Sequence, residues 1–209
     1  MENRSSMLSG VNENLDNLTI CIPAFDRAKF ITACLDQLEF QETDRLKVLV
    51  VDTGSQDGTP ELIETQIKNG WWKPPSFRPF LDMRLVRLPE IKGKGAGVVA
   101  AMEYFQKTVD TEFMMRIEPD ILIPPNALRP MMGMFREDPT LGMLAIGYCP
   151  TKDHVPTDCT MLRMCDVRAI TWQWSKAGCD CMHAFYQLNS VGKKVKFHPE
   201  LKSRHLRFL

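Results

Sequence analysis

The chain carries no net charge, because 26 lysines and arginines balance 26 aspartates and glutamates. It therefore has no bulk electrostatic reason to bind nucleic acid or an anionic membrane. No apolar run approaches the roughly 18 residues that a membrane span needs. Residues 1–17, MENRSSMLSGVNENLDN, are polar and lack the apolar stretch of a signal peptide. They read as a flexible leader, and the protein as cytoplasmic. The seven cysteines include no C-x-x-C pair. Cys179 and Cys181 would point about 200° apart on a helix, so zinc has no ready ligand pair. An odd count, with several cysteines inside apolar segments, reads as reduced thiols. There is no internal repeat, low-complexity tract or clear linker. Residues 18–209 read as one domain, with 18–120 a ligand-binding half and 121–209 a second half and tail that complete its site.

What is present is an alternation of strand and helix signals. Residues 18–22 (LTICI), 46–52 (LKVLVVD), 83–88, 112–117 and 141–147 read as strands. Helical spacing appears in 27–39, 60–68, 96–108 and 126–137, the last capped by Pro125 or Asn126. Residues 69–82, with two tryptophans and three prolines, read as a loop. Repeated strand–helix units imply an α/β fold, a mostly parallel sheet covered on both faces. The later part is less regular. Residues 160–164 and 195–197 read as strands, and 180–191 as a helix.

The most informative stretch is LKVLVVDTGSQDGTPELI, residues 46–63. An apolar strand runs straight into Asp52, then into a turn cluster containing Gly54. Thr59 and Pro60 follow as a helix start. In open α/β sheets, ligands bind at the carboxyl ends of the strands. Asp52 is thus the first residue to suspect. KGKGAGVVAAM has Gly93, Gly95 and Gly97 before a helix, and Lys92 or Lys94 offers charge to a phosphate. The spacing fits neither the dinucleotide fingerprint nor a P-loop. A plain flexible turn accounts for it equally well. Glu118-Pro119-Asp120 ends another strand, and two carboxylates so spaced can share Mg²⁺ or Mn²⁺. A solvated turn is the bland alternative. Asp180 opens a helix as either a cap or a general base. The histidines, at 154, 183, 198 and 205, read as structural or solvated. His205 gains interest only if the basic tail folds back over a metal. Trp172 and Trp174 alternate as core or rim residues, or as a platform under a sugar ring.

Together these segments resemble the family 2 glycosyltransferases, from about residue 18 to 205. LTICIPAFDRAKFITACLDQL is similar to that family's opening strand and helix, with Asp26 where an asparagine is usual. VVDTGSQDGT is the most specific match, to the nucleotide-binding strand and loop. KGKGAGVVAAM resembles the segment beside the diphosphate. RIEPDILIPPNAL resembles the D-x-D metal motif, with Glu118 in place of the first aspartate. TDCTMLRM resembles the strand near the acceptor, and CDCMHAFYQLNSVGKKVKFHPELKSRH the base motif through to the C-terminal histidine.

The resemblance implies a GT-A-type, Rossmann-like three-layer α/β/α fold. It implies transfer of a hexose-type sugar from a nucleotide sugar, UDP-sugar favoured and GDP-sugar possible, to an acceptor hydroxyl. Pro23, Ala24, Phe25, Asp52, Gly54, Lys94 and Pro119 would bind the donor. Glu118, Asp120 and His205 would hold Mn²⁺ or Mg²⁺. Asp180 would be the base of a single inverting displacement. The usual base motif is Glu-Asp; Asp180 and Cys181 stand in its place, so a non-catalytic nucleotide-sugar or glycan-binding protein is an alternative. A sugar-phosphate nucleotidyltransferase is another, but no glycine-rich signature follows the first strand.

Overall fold

The computed structural model describes residues 15–41, 43, 45–68, 80–89, 94–147, 158–174 and 180–206. The expected leader up to residue 14, most of the 69–82 loop, Trp71, Trp72, Lys92, Gly93 and His154 fall outside them. Residues 15–17, counted with that leader, instead form a 3-10 turn that buries Leu15 in the core. Strands β1 (Leu18–Ala24), β2 (Arg45–Asp52), β3 (Phe80–Arg87) and β4 (Phe113–Ile117) alternate with helices α1 (Ala28–Asp36), α2 (Thr59–Lys68) and α3 (Lys94–Thr108). A short β5 (Ile121–Leu122), α4 (Leu128–Glu137), β6 (Leu141–Ala145), β7 (Cys159–Arg163) and α5 (Met164–Val167) follow. The described chain closes with α6 (Asp180–Ser190), β8 (Lys194–Phe197) and β9 (Arg204–His205).

Seven strands form one sheet in the order β3-β2-β1-β4-β7-β6-β8. β1 is parallel to β2 and β4, and β2 to β3. β7 alone runs antiparallel to its neighbours, β4 and β6. The mostly parallel sheet expected from the sequence is the sheet observed.

Alternation along each strand builds the layers. β1 sends Leu18, Ile20 and Ile22 to a core shared with Ile31 and Leu35 of α1, Ile63 of α2 and Phe135 of α4. The opposite face, with Cys21, Val51 and Met114, meets Phe105 of α3 and Ala184 and Leu188 of α6. This is an α/β/α sandwich, and its parallel strands β1 to β4 all end at one edge.

Three expected boundaries move for physical reasons. β1 continues through Pro23 because the pairings there run to Ala24 and Asp52. β3 begins at Phe80, inside the expected loop, because its register with β2 starts at Arg45. α4 begins at Leu128, not 126, since Asn126 takes a positive φ of 58° and leaves helical space.

Two loops at the carboxyl edge are tied together by their own side chains. The Asp57 carboxylate accepts the backbone N–H of Ala28, at the start of α1, at 2.8 Å. It also accepts that of Thr59, at the start of α2, at 3.0 Å. Burial opposes its charge, but the hydrogen bonds from Thr59 and Ala28 win and hold its pKa below the usual value. A depressed carboxylate contributes stability above its unfolded pKa, near 4, and loses it as pH falls through the folded value. Asp57→Ala should therefore cost about 1–2 kcal/mol at pH 7, as lost caps do. Urea unfolding should show that gap shrinking below about pH 4; an equal gap at pH 3 and 7 would refute the role.

Candidate active site

The carboxyl edge gathers most of the residues singled out above. Asp52 ends β2 in register with Ala24 of β1 and Arg87 of β3. β4, followed directly by Glu118-Pro119-Asp120, lies on the other side of β1. The ends of β2 and β4 are therefore two strand spacings apart, about 10 Å.

Asp52 is buried and holds its own loop. One carboxylate oxygen accepts the N–H groups of Gly54 and Ser55, each at 3.1 Å. The other accepts the Ser55 hydroxyl. Gly54 makes the turn at a φ of 99°, open to glycine and strained for other residues. The Ser55 hydroxyl also accepts the Asp26 N–H at 2.9 Å, and Asp26 accepts the Gln56 N–H at 2.8 Å. The Pro23–Phe25 segment and the Asp52 loop are thus one unit. Pro23 and Ala24 are strand residues, while Phe25 is 37% exposed at the rim. The sequence reading missed Asp26, Ser55 and Asp57. Their signal was the density of short polar side chains in two facing turns.

Asp120 is buried at the opposite flank of β1. Two glutamines just beyond α1 fix the chain that follows Asp120. Gln37 donates to the Ile121 carbonyl at 2.9 Å and accepts the Ile123 N–H. Gln41 donates to the Pro124 carbonyl at 3.0 Å. β9 pairs with β5, placing His205 opposite Ile121. The Leu206 N–H donates to the Asp120 carbonyl at 2.8 Å. His205 Nε2 lies 3.9 Å from Asp120 Oδ1. The tail does fold back over the acidic turn.

The unforeseen residue is Arg116. β4 alternates, so Arg116 and Glu118 point to the face covered by α3 and α6. The Arg116 side chain is 3% exposed, and so is that of Asp180. Its Nη1 donates to Asp180 Oδ2. Its Nε and Nη2 both donate to Glu118 Oε1, at 3.0 and 2.5 Å. A single guanidinium therefore bridges the acidic turn and the first residue of α6. Burial opposes its charge, but Asp180 and Glu118 outweigh burial and hold its pKa above the usual value. Burial likewise raises Glu118, against the pull of Arg116. Asp158, just before β7, is raised by burial and by Asp180 and Asp120, against Arg116. Its carbonyl accepts the Glu118 N–H at 2.8 Å. Neither Arg116 nor Asp158 was singled out from the sequence. One charged residue inside the apolar strand FMMRI was the available signal, because a buried charge needs a partner.

The donor set bears on a metal. Among the described residues, no group of three or more His, Cys, Asp or Glu side chains is gathered for an ion. Glu118 is turned onto Arg116. Asp120 and His205 remain, and two ligands each about 2.1 Å from one ion can sit up to about 4.2 Å apart. Their 3.9 Å spacing lies within that reach but is wider than the roughly 3.0 Å between adjacent octahedral ligands, so the pair would hold one ion after a small side-chain shift, with other ligands drawn from a substrate's phosphates.

The other candidates are spread along the same edge. α3 starts at Lys94, whose side chain lies outside the described residues. Pro119 is buried between the two acidic residues. Cys21, Cys34, Cys159 and Cys165 are free thiols. Cys181 corrects the reduced-thiol reading, because it is disulfide-bonded. No helix among the described residues is long and apolar enough to cross a membrane.

The family model described as glycosyl transferase family 2 matches residues 19–188. No curated protein sequence is significantly similar to the chain. Among solved structures, the chain is similar to the mannosyltransferase PcManGT from Pyrobaculum calidifontis in complex with GDP-Man and Mn²⁺. The TM-score is 0.70 at 19% identity, over 88% of this chain and 55% of that one. It is also similar to S. aureus TarS 1-349 in complex with UDP-GlcNAc, with a TM-score of 0.67 at 16% identity. That match covers 92% of this chain and 61% of the other. The chain thus spans little more than half the length of these neighbours. At such identities the likeness speaks for a shared fold.

Proposed function

The chain belongs to glycosyl transferase family 2, and on that premise we propose that it transfers a hexose from a nucleoside-diphosphate sugar, UDP-sugar favoured, to an acceptor hydroxyl. The observation that carries this reading is the common edge. Asp52 and Asp120 leave the sheet on either side of β1, and His205 docks beside Asp120.

In this reading the nucleoside lies over Pro23, Ala24 and Phe25. Asp52 and Gly54 shape the loop beneath the base. Lys94 and the start of α3 face the diphosphate, where helix N-termini favour negative charge. Asp120 and His205 hold Mn²⁺ or Mg²⁺, with Pro119 fixing the turn. When bound, such an ion offsets charge on the departing nucleoside diphosphate. Asp180 takes the proton of the acceptor hydroxyl. The acceptor oxygen then bonds to the anomeric carbon as the bond to the diphosphate breaks, which inverts the configuration. Arg116 and Glu118 fix where the Asp180 carboxylate sits before the acceptor arrives.

One observation favours a second reading, a donor-binding protein that does not turn over. Asp180 is 2% exposed and already paired with Arg116. As base it must first leave that pairing. Release of free nucleoside diphosphate from a nucleotide sugar, with a glycan pool as acceptor, separates the two readings.

Binding itself is tested by thermal shift with UDP-GlcNAc, UDP-glucose and GDP-mannose, in Mn²⁺, Mg²⁺ and EDTA arms. At least one donor at a hundredfold its Kd should stabilise by about 2.7 kcal/mol, and only with metal. No shift with any donor in either metal would defeat the proposal.

A further inference from the structure

The structure assigns Trp174 as the platform for the donor's sugar ring, an inference that rests on the donor reading above. Trp172 and Trp174 diverge in environment. Trp172 is 4% exposed and packs in the core under α3 and α6. Trp174 is 45% exposed, a large apolar ring left in water.

The ring is seated against Gly95, in the first turn of α3. A Cβ at Gly95 would fall 2.1, 2.2 and 2.4 Å from Cγ, Cδ1 and Cδ2 of the indole. Those are consecutive ring carbons at nearly equal distance, so Gly95 lies over the face of the ring and not its edge. One indole face is therefore seated on backbone, and the exposed area belongs largely to the other. A pinned aromatic face loses little freedom when a pyranose ring stacks on it.

Its position favours the donor. Two residues on, Gly97 packs against the nucleotide loop: a Cβ there would fall 2.9 Å from Thr53 Oγ1. Thr53 follows Asp52 and donates its N–H to the Ala24 carbonyl at 2.9 Å. Indole, α3 start and Asp52 loop are thus contiguous at the carboxyl edge. A ring attached to a diphosphate beside α3 comes within reach of the open indole face.

The test compares a nucleotide sugar with its bare nucleotide by calorimetry in Mn²⁺: UDP-GlcNAc against UDP, and GDP-mannose against GDP. In Trp174→Ala, the affinity advantage of the preferred sugar nucleotide over its bare partner should fall about fivefold, the scale of one lost ring contact. Affinity for the bare nucleotide should stay unchanged. Gly95→Ala, which keeps the tryptophan but displaces its ring from that seat, should reproduce the loss. An unchanged ratio in both variants, with nucleotide binding intact, would overturn the platform alone. If the wild type binds neither nucleotide nor sugar nucleotide, the donor reading falls and takes the platform with it.

Discussion

Replacing Arg116 with methionine should destabilise the protein by about 3–5 kcal/mol, the usual result of removing one partner from a buried ion pair. For a chain of this size that corresponds to a fall in Tm of roughly 6–20 °C. The guanidinium compensates Glu118 and Asp180 directly and Asp158 through its field. Without it, the buried Asp180 carboxylate and the partly buried Glu118 and Asp158 carboxylates are left to repel one another. The pH dependence separates this cause from lost packing. Burial already raises Glu118 and Asp158 above the usual carboxylate range. A raised carboxylate binds its proton more tightly folded than unfolded, so its contribution to stability declines as pH rises above about 4. Removing Arg116 raises both groups further. The gap between wild type and variant should be widest near pH 8 and narrow towards pH 5, read by denaturant melts. A gap under about 1 kcal/mol, or one independent of pH, would contradict the account.

Asp120→Asn should abolish the metal-dependent part of nucleotide binding. With Asp120 and His205 the pair placed for an ion among the described residues, the metal site is completed by a diphosphate, and losing the Asp120 carboxylate leaves the imidazole of that pair. Wild type should gain about 2.7 kcal/mol at a hundredfold Kd of UDP or GDP with Mn²⁺. The variant should gain no more with Mn²⁺ than with EDTA. Glu118→Gln is the informative contrast. It weakens the Arg116 pairing and so the fold, yet it should retain the Mn²⁺-dependent gain, because that carboxylate is engaged elsewhere. Loss of the gain in Glu118→Gln, with retention in Asp120→Asn, would reverse the ligand assignment.

The fold was legible because long elements carry strong periodicity. The apolar runs at 18–22 and 46–52 and the helix at 96–108 needed no tertiary information. β5 and β9 were not legible. Each is two residues long, and their pairing exists only because the tail returns to the acidic turn. The site divided along the same line. Asp52, Asp120 and Asp180 stand at element ends, where a local pattern marks them. Arg116 sits inside an apolar strand, and its partners are 2 and 64 residues away in sequence. Only the fold brings Asp180 to it. The same limit applied to the tryptophans: alternation separated Trp172 from Trp174, but not which of them faces water.

The most direct measurement is a crystal structure of the protein with Mn²⁺ and the diphosphate of its preferred donor, with the ion located by anomalous scattering. We expect one Mn²⁺ bonded to the Asp120 carboxylate, His205 Nε2 and both phosphates, with the base above the Asp52 loop. An ion held by Glu118 and Asp180 with Arg116 displaced, or a nucleotide bound away from the ends of β1, β2 and β4, would contradict it.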